Sequence, residues 1–165
     1  MKGSLDQILT QVARRGSWFG GGSVSAMSTA LAAALLEKLV LQEVMRQRLR
    51  RLRKDCLKLA QGDADAFAKV VRAAHDKQPA IFRRMLKQAI QIPLRVFGHA
   101  QTVRKLCERL QGRIRKGFQS DLRCAVALAL ASGEGARTLI LNNLAWLDDP
   151  RYTKQIRARL QRLSR

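Results

Sequence analysis

The stretch Trp18-Phe19-Gly20-Gly21-Gly22-Ser23-Val24-Ser25-Ala26 decides how this chain is read. Three glycines run into a serine, and helical spacing then continues from Met27 to Leu41 without a breaker. Ser23 is placed to cap that helix, its hydroxyl accepting from the free amides of the first turn. The glycines before it let the backbone come close to a ligand. A helix start carries unpaired N–H groups and a partial positive charge, so the junction suits an anion or a polar heterocycle. No strand precedes it and no Gly-Lys-Ser/Thr follows, which excludes the dinucleotide fingerprint and the phosphate loop.

Outward from the glycines the chain is helical in both directions. Leu5, Ile8, Leu9 and Val12 repeat at helical spacing behind Ser4 and Asp6, predicting a short helix over 4–15 that Gly16 ends. In the helix over 23–41, Val24, Met27, Leu31, Leu35 and Leu39 share a face whose neighbours are Ala, Ser and Thr. Small residues on so many sides predict a helix closely approached by others, the centre of a bundle, with the Ala/Ser faces of 23–41 and 121–147 buried against one another. Leu49, Leu52, Cys56, Leu59, Ala66, Phe67, Val70 and Val71 make the next stripe, and Lys77-Gln78-Pro79 breaks it. Another helix runs from Ile81 past an interior Pro93 to Leu110, followed by a basic turn at 112–117. The last long helix starts at Ser120-Asp121 and stops at Asp148-Asp149-Pro150; Arg151 to Arg165 is a basic amphipathic tail. Strand alternation and internal repeats are absent. The expectation is an all-α, up-and-down bundle of about five to six helices, with residues 1–165 as a single domain.

Lys and Arg number 32 against 12 Asp and Glu, a net charge of +20. Such a charge attracts anions: nucleic acid, an acidic membrane, or a polyanionic substrate. Aromatic residues make up 5% of the chain, which argues against reading single strands by base stacking. Three cysteines, Cys56, Cys107 and Cys124, form no Cys-x-x-Cys pair and read as reduced core residues of a cytoplasmic protein. His75 and His99 lack carboxylates at ligand spacing, so no metal site is expected. The longest charge-free apolar run, Val24 to Leu36, is too short to span a bilayer.

Four polar residues stand on or beside apolar faces: Ser23, Asp63, Asp121 and Asn143. Asp121 has an ordinary reading as a helix cap, whereas Asp63 falls on the stripe itself, a costly place for a carboxylate. These residues and their surroundings resemble the cyclodeaminase/methenyltetrahydrofolate cyclohydrolase family. The resemblance rests on Gly20-Gly21-Gly22-Ser23-Val24, Asp63-Ala64-Asp65-Ala66-Phe67, Ile92-Pro93-Leu94, and Ser120-Asp121 with Asn143-Leu144, in that order along the chain. It implies an all-α, usually dimeric fold that acts on a tetrahydrofolate derivative as substrate, without a metal. By the resemblance, Gly20, Gly21, Gly22 and Ser23 form the folate loop, Asp63 and Asp121 are the site carboxylates, and Asn143 is a substrate-side amide. A homodimer with its clefts near the subunit boundary is expected accordingly.

The chain also departs from the family pattern. Phe19 stands where a proline usually precedes the glycines, Arg113-Ile114-Arg115-Lys116-Gly117 replaces a Gly-Asn pair, and Leu139 takes the place of an Asn. The chemistry has a physical basis nonetheless. A methenyl bridge is cationic, so a partly buried carboxylate favours its binding and can take a proton from the attacking water. Two carboxylates in one pocket push their pKa values apart, giving one base and one acid. Folate tails account for a few positive charges and not for twenty. A second reading therefore stays open: a relative that keeps the bundle and binds nucleic acid or another polyanion through Arg46–Lys54 and the 151–165 tail. A third is a helical module meeting an acidic protein partner.

Overall fold

A computed structural model describes residues 4–165. It contains six α-helices: α1 (Leu5–Ala13), α2 (Gly21–Leu39), α3 (Glu43–His75), α4 (Pro79–Leu110), α5 (Gln119–Leu147) and α6 (Pro150–Ser164), with a single 3-10 turn at Lys116–Phe118. There is no strand among the described residues, and the all-α bundle expected from the periodicity is what the chain forms. Helices α2 to α5 make the bundle in up-and-down order, α2 packing on α3 and α5 and, across the middle, on α4. Helix α6 lies outside against α4. Helix α1 stands further out still, with no buried residue.

Local chemistry explains most of the boundaries. Ser4 and Gln7 form a reciprocal capping box at the start of α1. Pro79 and Pro150 occupy the first turns of α4 and α6, where a missing N–H costs nothing, and Asp149 caps α6 by accepting from the Tyr152 amide at 3.0 Å. Pro93 sits fully buried inside α4, and the helix continues through it to Leu110.

The core divides along the bundle axis into two apolar clusters. One gathers Leu86, Ile90, Leu94, Phe97, Ile140 and Leu147; the other gathers Leu36, Leu49, Leu52, Cys56, Val103 and Leu122. Between α2 and α5 runs a layer of small polar residues that lets the two backbones come close. Ser132 Oγ donates to the Ala129 carbonyl at 3.1 Å and accepts from Thr29 Oγ1 at 3.0 Å. A Cβ added at Gly135 would lie 2.6 Å from Ser25 Oγ, so that approach depends on glycine.

The face of α2 that is buried differs from the one its large residues suggest. Ser23, Ala26, Thr29, Ala30, Ala33 and Leu36 point inward, while Val24 and Leu31 are exposed at 37% and 58%. On α5, Leu130 and Trp146 are exposed at 52% and 59%. The segment Lys116–Leu147 is the one stretch of the described residues apolar and long enough to cross a membrane by composition, a property the charge-free run 24–36 does not reveal. It packs here as a bundle helix on α2 and α4, with only 33% of its most apolar window buried.

Candidate active site

Helix α2 begins three residues earlier than its serine suggests. Gly20 is the N-cap and supplies no side-chain cap, and Ser23 lies inside the first turn, fully buried. Its hydroxyl does not cap; it donates to the Ala60 carbonyl of α3 at 2.7 Å. The free amide of Ser23 is met instead by a carboxyl from another helix, that of Asp63. Asp63 thus does from α3 what a local cap normally does. The fit depends on Gly22, because a Cβ there would overlap the Asp63 carboxyl group.

This placement decides the carboxyl's chemistry. Burial pushes the Asp63 pKa up, and hydrogen bonds from Ser23 only partly oppose it. No Lys or Arg among the described residues lies within 4.0 Å to hold it ionised. Ser23 Oγ also lies 3.4 Å from Asp63 Oδ2. The Ser23 hydroxyl thus has two acceptors in reach, the Ala60 carbonyl at 2.7 Å and, at the longer distance, the Asp63 carboxyl.

The other sequence-predicted residues fall in two groups. A Cβ added at Gly21 would lie 3.9 Å from the Leu139 side chain of α5, and Asn143 lies one turn beyond Leu139, about 6 Å further along the same stripe. Gly20, Gly21, Gly22, Ser23, Asp63 and Asn143 therefore gather at one end of the bundle. Asp121 does not join them. It sits in the first turn of α5 against the last turn of α2, with its Oδ2 2.7 Å from Lys38 Nζ. From Gly22 to Lys38 the helix rises roughly 24 Å at 1.5 Å per residue, so within one chain the two carboxylates share no cleft. Lys38, whose ammonium also lies 5.6 Å from the Phe118 ring centre, went unnoticed in the sequence; a lysine in a final helical turn gives no signal of a carboxylate partner 83 residues on.

Neither of the two largest grooves holds these residues. One of about 500 Å³ is lined by Arg83, Arg84, Lys87 and Tyr152, and another of about 460 Å³ by Arg137, Arg157 and Arg165. A smaller one, about 280 Å³, lies beside the glycine loop among Arg14, Trp18, Phe19 and Asp65. Asp55 joins α3 to α4, accepting from Arg95 at 2.9 Å and meeting His99 Nε2 at 2.6 Å. No group of three or more His, Cys, Asp or Glu is clustered for a metal among the described residues.

An all-α bundle in which a distant carboxyl caps a glycine-opened helix is a fold class with a defined site. The formiminotransferase-cyclodeaminase family model matches residues 4–162, and the chain belongs to that family. It is also similar to the crystal structure of a formiminotetrahydrofolate cyclodeaminase from Thermotoga maritima. The two agree with a TM-score of 0.86 at 25% identity, over 98% of this chain and 88% of that one. No functionally curated protein matches the chain.

Proposed function

We propose that residues 1–165 act as one domain on the one-carbon bridge of a tetrahydrofolate derivative, with Asp63 as the proton-transferring carboxyl. The observation that carries this reading is the Asp63 carboxyl itself: half-buried, with no Lys or Arg within 4.0 Å among the described residues, and raised in pKa at the mouth of a glycine-opened helix. A raised carboxyl is a stronger base when ionised and a ready acid when protonated. For methenyl-tetrahydrofolate, water attacks the bridge carbon and Asp63 takes one of its protons; the carbinolamine then gives up its hydroxyl proton as one C–N bond breaks, the departing nitrogen is protonated, and the formyl group stays on the other nitrogen. For formimino-tetrahydrofolate, the exocyclic amine nitrogen attacks the formimino carbon and loses its proton, and the amino group of the resulting adduct leaves as ammonia with a proton from the acid. Gly20 to Ser23 offer the substrate close backbone approach, and Asn143 offers an amide from α5. The name of the Thermotoga protein favours the deamination.

The working unit in this reading is a homodimer. Helix α2 exposes Val24 and Leu31 on one face, and α5 packed beside it exposes Leu130, in a chain of charge +20; a second copy is the partner that hides such a face twice over. In an isologous pair whose two-fold axis lies across the helices, the start of α5 in one protomer comes over the start of α2 in the other. The partner's Asp121 then supplies the second carboxyl that one chain lacks.

Loss of the methenyl absorbance and release of ammonia measure the two activities directly. Wild-type protein should turn over at least one of the two folates. Asp63→Asn should reduce that rate by about 10²–10⁴-fold while leaving the helical spectrum unchanged. Folded wild-type protein that neither turns over nor binds either folate would sink the proposal.

A further inference from the structure

The charge of +20 is more than the folate reading uses, and the fold distributes it unevenly. Two stretches are densely basic in sequence, and their environments differ. In Arg46–Lys54, Arg46 pairs with Glu43, and Arg50 and Arg53 both pair with Glu37, at 2.9–3.3 Å. Helix α6 has no such compensation. Its segment carries Arg151, Lys154, Arg157, Arg159, Arg162 and Arg165 and not one Asp or Glu, and none of the six lies within 4.0 Å of a carboxylate among the described residues. All six are exposed.

The surface continues on both sides of the helix. Towards α4 the groove of about 500 Å³ adds Arg83 and Arg84, with Gln88 and Gln91 as amide donors. Towards α5 the groove of about 460 Å³ adds Arg137 beside Arg157 and Arg165. The opposite face of the molecule, that of Val24, Leu31 and Leu130, is apolar. We propose that the α6 face and its two flanking grooves bind the phosphate backbone of a nucleic-acid duplex.

Three features select that partner. A membrane-surface helix needs apolar residues directed outward beside its cations. Here Ile156 and Leu160 are buried and Leu163 packs at 3.6 Å on the position of a Gly98 Cβ, so the apolar edge faces the bundle. Single strands are held by stacking on free aromatic rings. The one ring on this surface, Tyr152, lies 5.0 Å under the Lys87 ammonium, and its hydroxyl accepts from Gln91 at 2.6 Å. A protein partner would want an aromatic or aliphatic anchor at the centre of the patch, and none points outward from α6. What is left is a helix whose whole exposed half carries cations. Helix α6 is roughly 22 Å long at 1.5 Å per residue, the axial rise of about six base pairs, and its six cations allow up to about six phosphate contacts.

The proposal is independent of the folate reading, and its test keeps the two apart. A labelled 20-base-pair duplex, as RNA in one series and DNA in another, is titrated with full-length protein by fluorescence anisotropy. About six phosphate contacts predict that affinity falls by about 10³-fold between 50 and 200 mM salt. The decisive variant is Arg151→Gln/Lys154→Gln/Arg157→Gln/Arg162→Gln. Its control removes four equally exposed charges from α3: Arg48→Gln/Arg51→Gln/Lys54→Gln/Lys58→Gln. At 150 mM salt the α6 variant should lose more than about a hundredfold in affinity and about four units of log–log salt slope. The α3 control should lose less than about fivefold. Folate turnover and thermal unfolding should match wild type in both. Binding to only one duplex would identify the source of the phosphates. Equal losses in the two variants, no duplex binding by wild type at 100 mM salt, or binding confined to vesicles of anionic phospholipid would each overturn it.

Discussion

The two ends of α2 hold a carboxylate each, and they treat it in opposite ways. At the N-terminal end Asp63 meets glycines, a serine and a helix amide, with no cation within 4.0 Å among the described residues, and its pKa rises. At the C-terminal end Asp121 lies 2.7 Å from Lys38, with both side chains substantially open to solvent. An aspartate is thus no more a catalytic group than its surroundings make it. One end makes ionisation costly for its carboxyl; the other neutralises a charge at the surface. The contrast also explains the glycines: any side chain at 22 would expel the carboxyl that gives the first end its character.

The largest effect that would break this contrast is expected at Gly22. In Gly22→Ala the new methyl overlaps Asp63, whose short side chain rotates away into solvent. Stability should change little. The lost cap costs about 1 kcal/mol, and replacing glycine by alanine in a helix regains about 1 kcal/mol. Turnover should nevertheless fall by about a hundredfold, because the carboxyl leaves both its low-dielectric site and the substrate. Thermal unfolding and folate turnover measured on the same preparation check this; full activity in the variant would show that the position of Asp63 is immaterial.

A second carboxylate on α3 sharpens the comparison. Asp55 is held below the usual carboxylate range: burial raises it, but hydrogen bonds and charge from His99 and Arg95 more than offset that. The signs of linkage are opposite for the two aspartates. A lowered pKa contributes stability above the unfolded value and loses it as pH falls through the folded one. Asp55→Asn should therefore cost about 1–2 kcal/mol at pH 7, and the deficit should shrink towards pH 3. A raised pKa does the reverse, since the folded state holds its proton longer and loses stability as pH climbs from the unfolded pKa to the folded one. Asp63→Asn should match wild type at pH 3 and equal or exceed it at pH 7. Urea unfolding across pH 3–8 separates the two, and parallel curves would refute the assignment of opposite environments.

Much of the fold was legible because periodicity reports burial directly. The stripe Leu49, Leu52, Cys56, Leu59 lies in the core as read, though its far members Phe67 and Val71 are exposed, and the breaks read at Lys77–Pro79 and Asp148–Pro150 separate real helices. The small-residue faces of α2 and α5 pack on one another as expected, through Ser25, Thr29 and Ala33 of α2. The large residues of α2 were the weaker guide, since Leu31 stays outside. Hydrophobicity is a poor guide where backbone proximity decides. Ser23 was misread as a cap, since a serine before a helical run looks the same whether it begins the helix or lies one turn inside it. The distance between Asp63 and Asp121 was not legible at all. Motif order along a chain carries no information about which end of a bundle each motif reaches.

The smallest expected effect tests whether a second copy joins the two ends. Asp121→Asn should move stability by no more than about 1 kcal/mol, because its pair with Lys38 is solvent-screened. If the partner's Asp121 completes the site, the variant loses turnover as Asp63→Asn does. Mixing the two inactive proteins and allowing exchange then regenerates activity. In a mixed pair one site carries both substitutions and the other carries neither. With random exchange half of the dimers are mixed, and half of the sites in those are intact, so about a quarter of wild-type turnover should return. Two inactive variants of a site built within one chain would stay inactive when mixed. A monomer by sedimentation at moderate salt would remove the basis for the experiment and confine the chemistry to the Asp63 end.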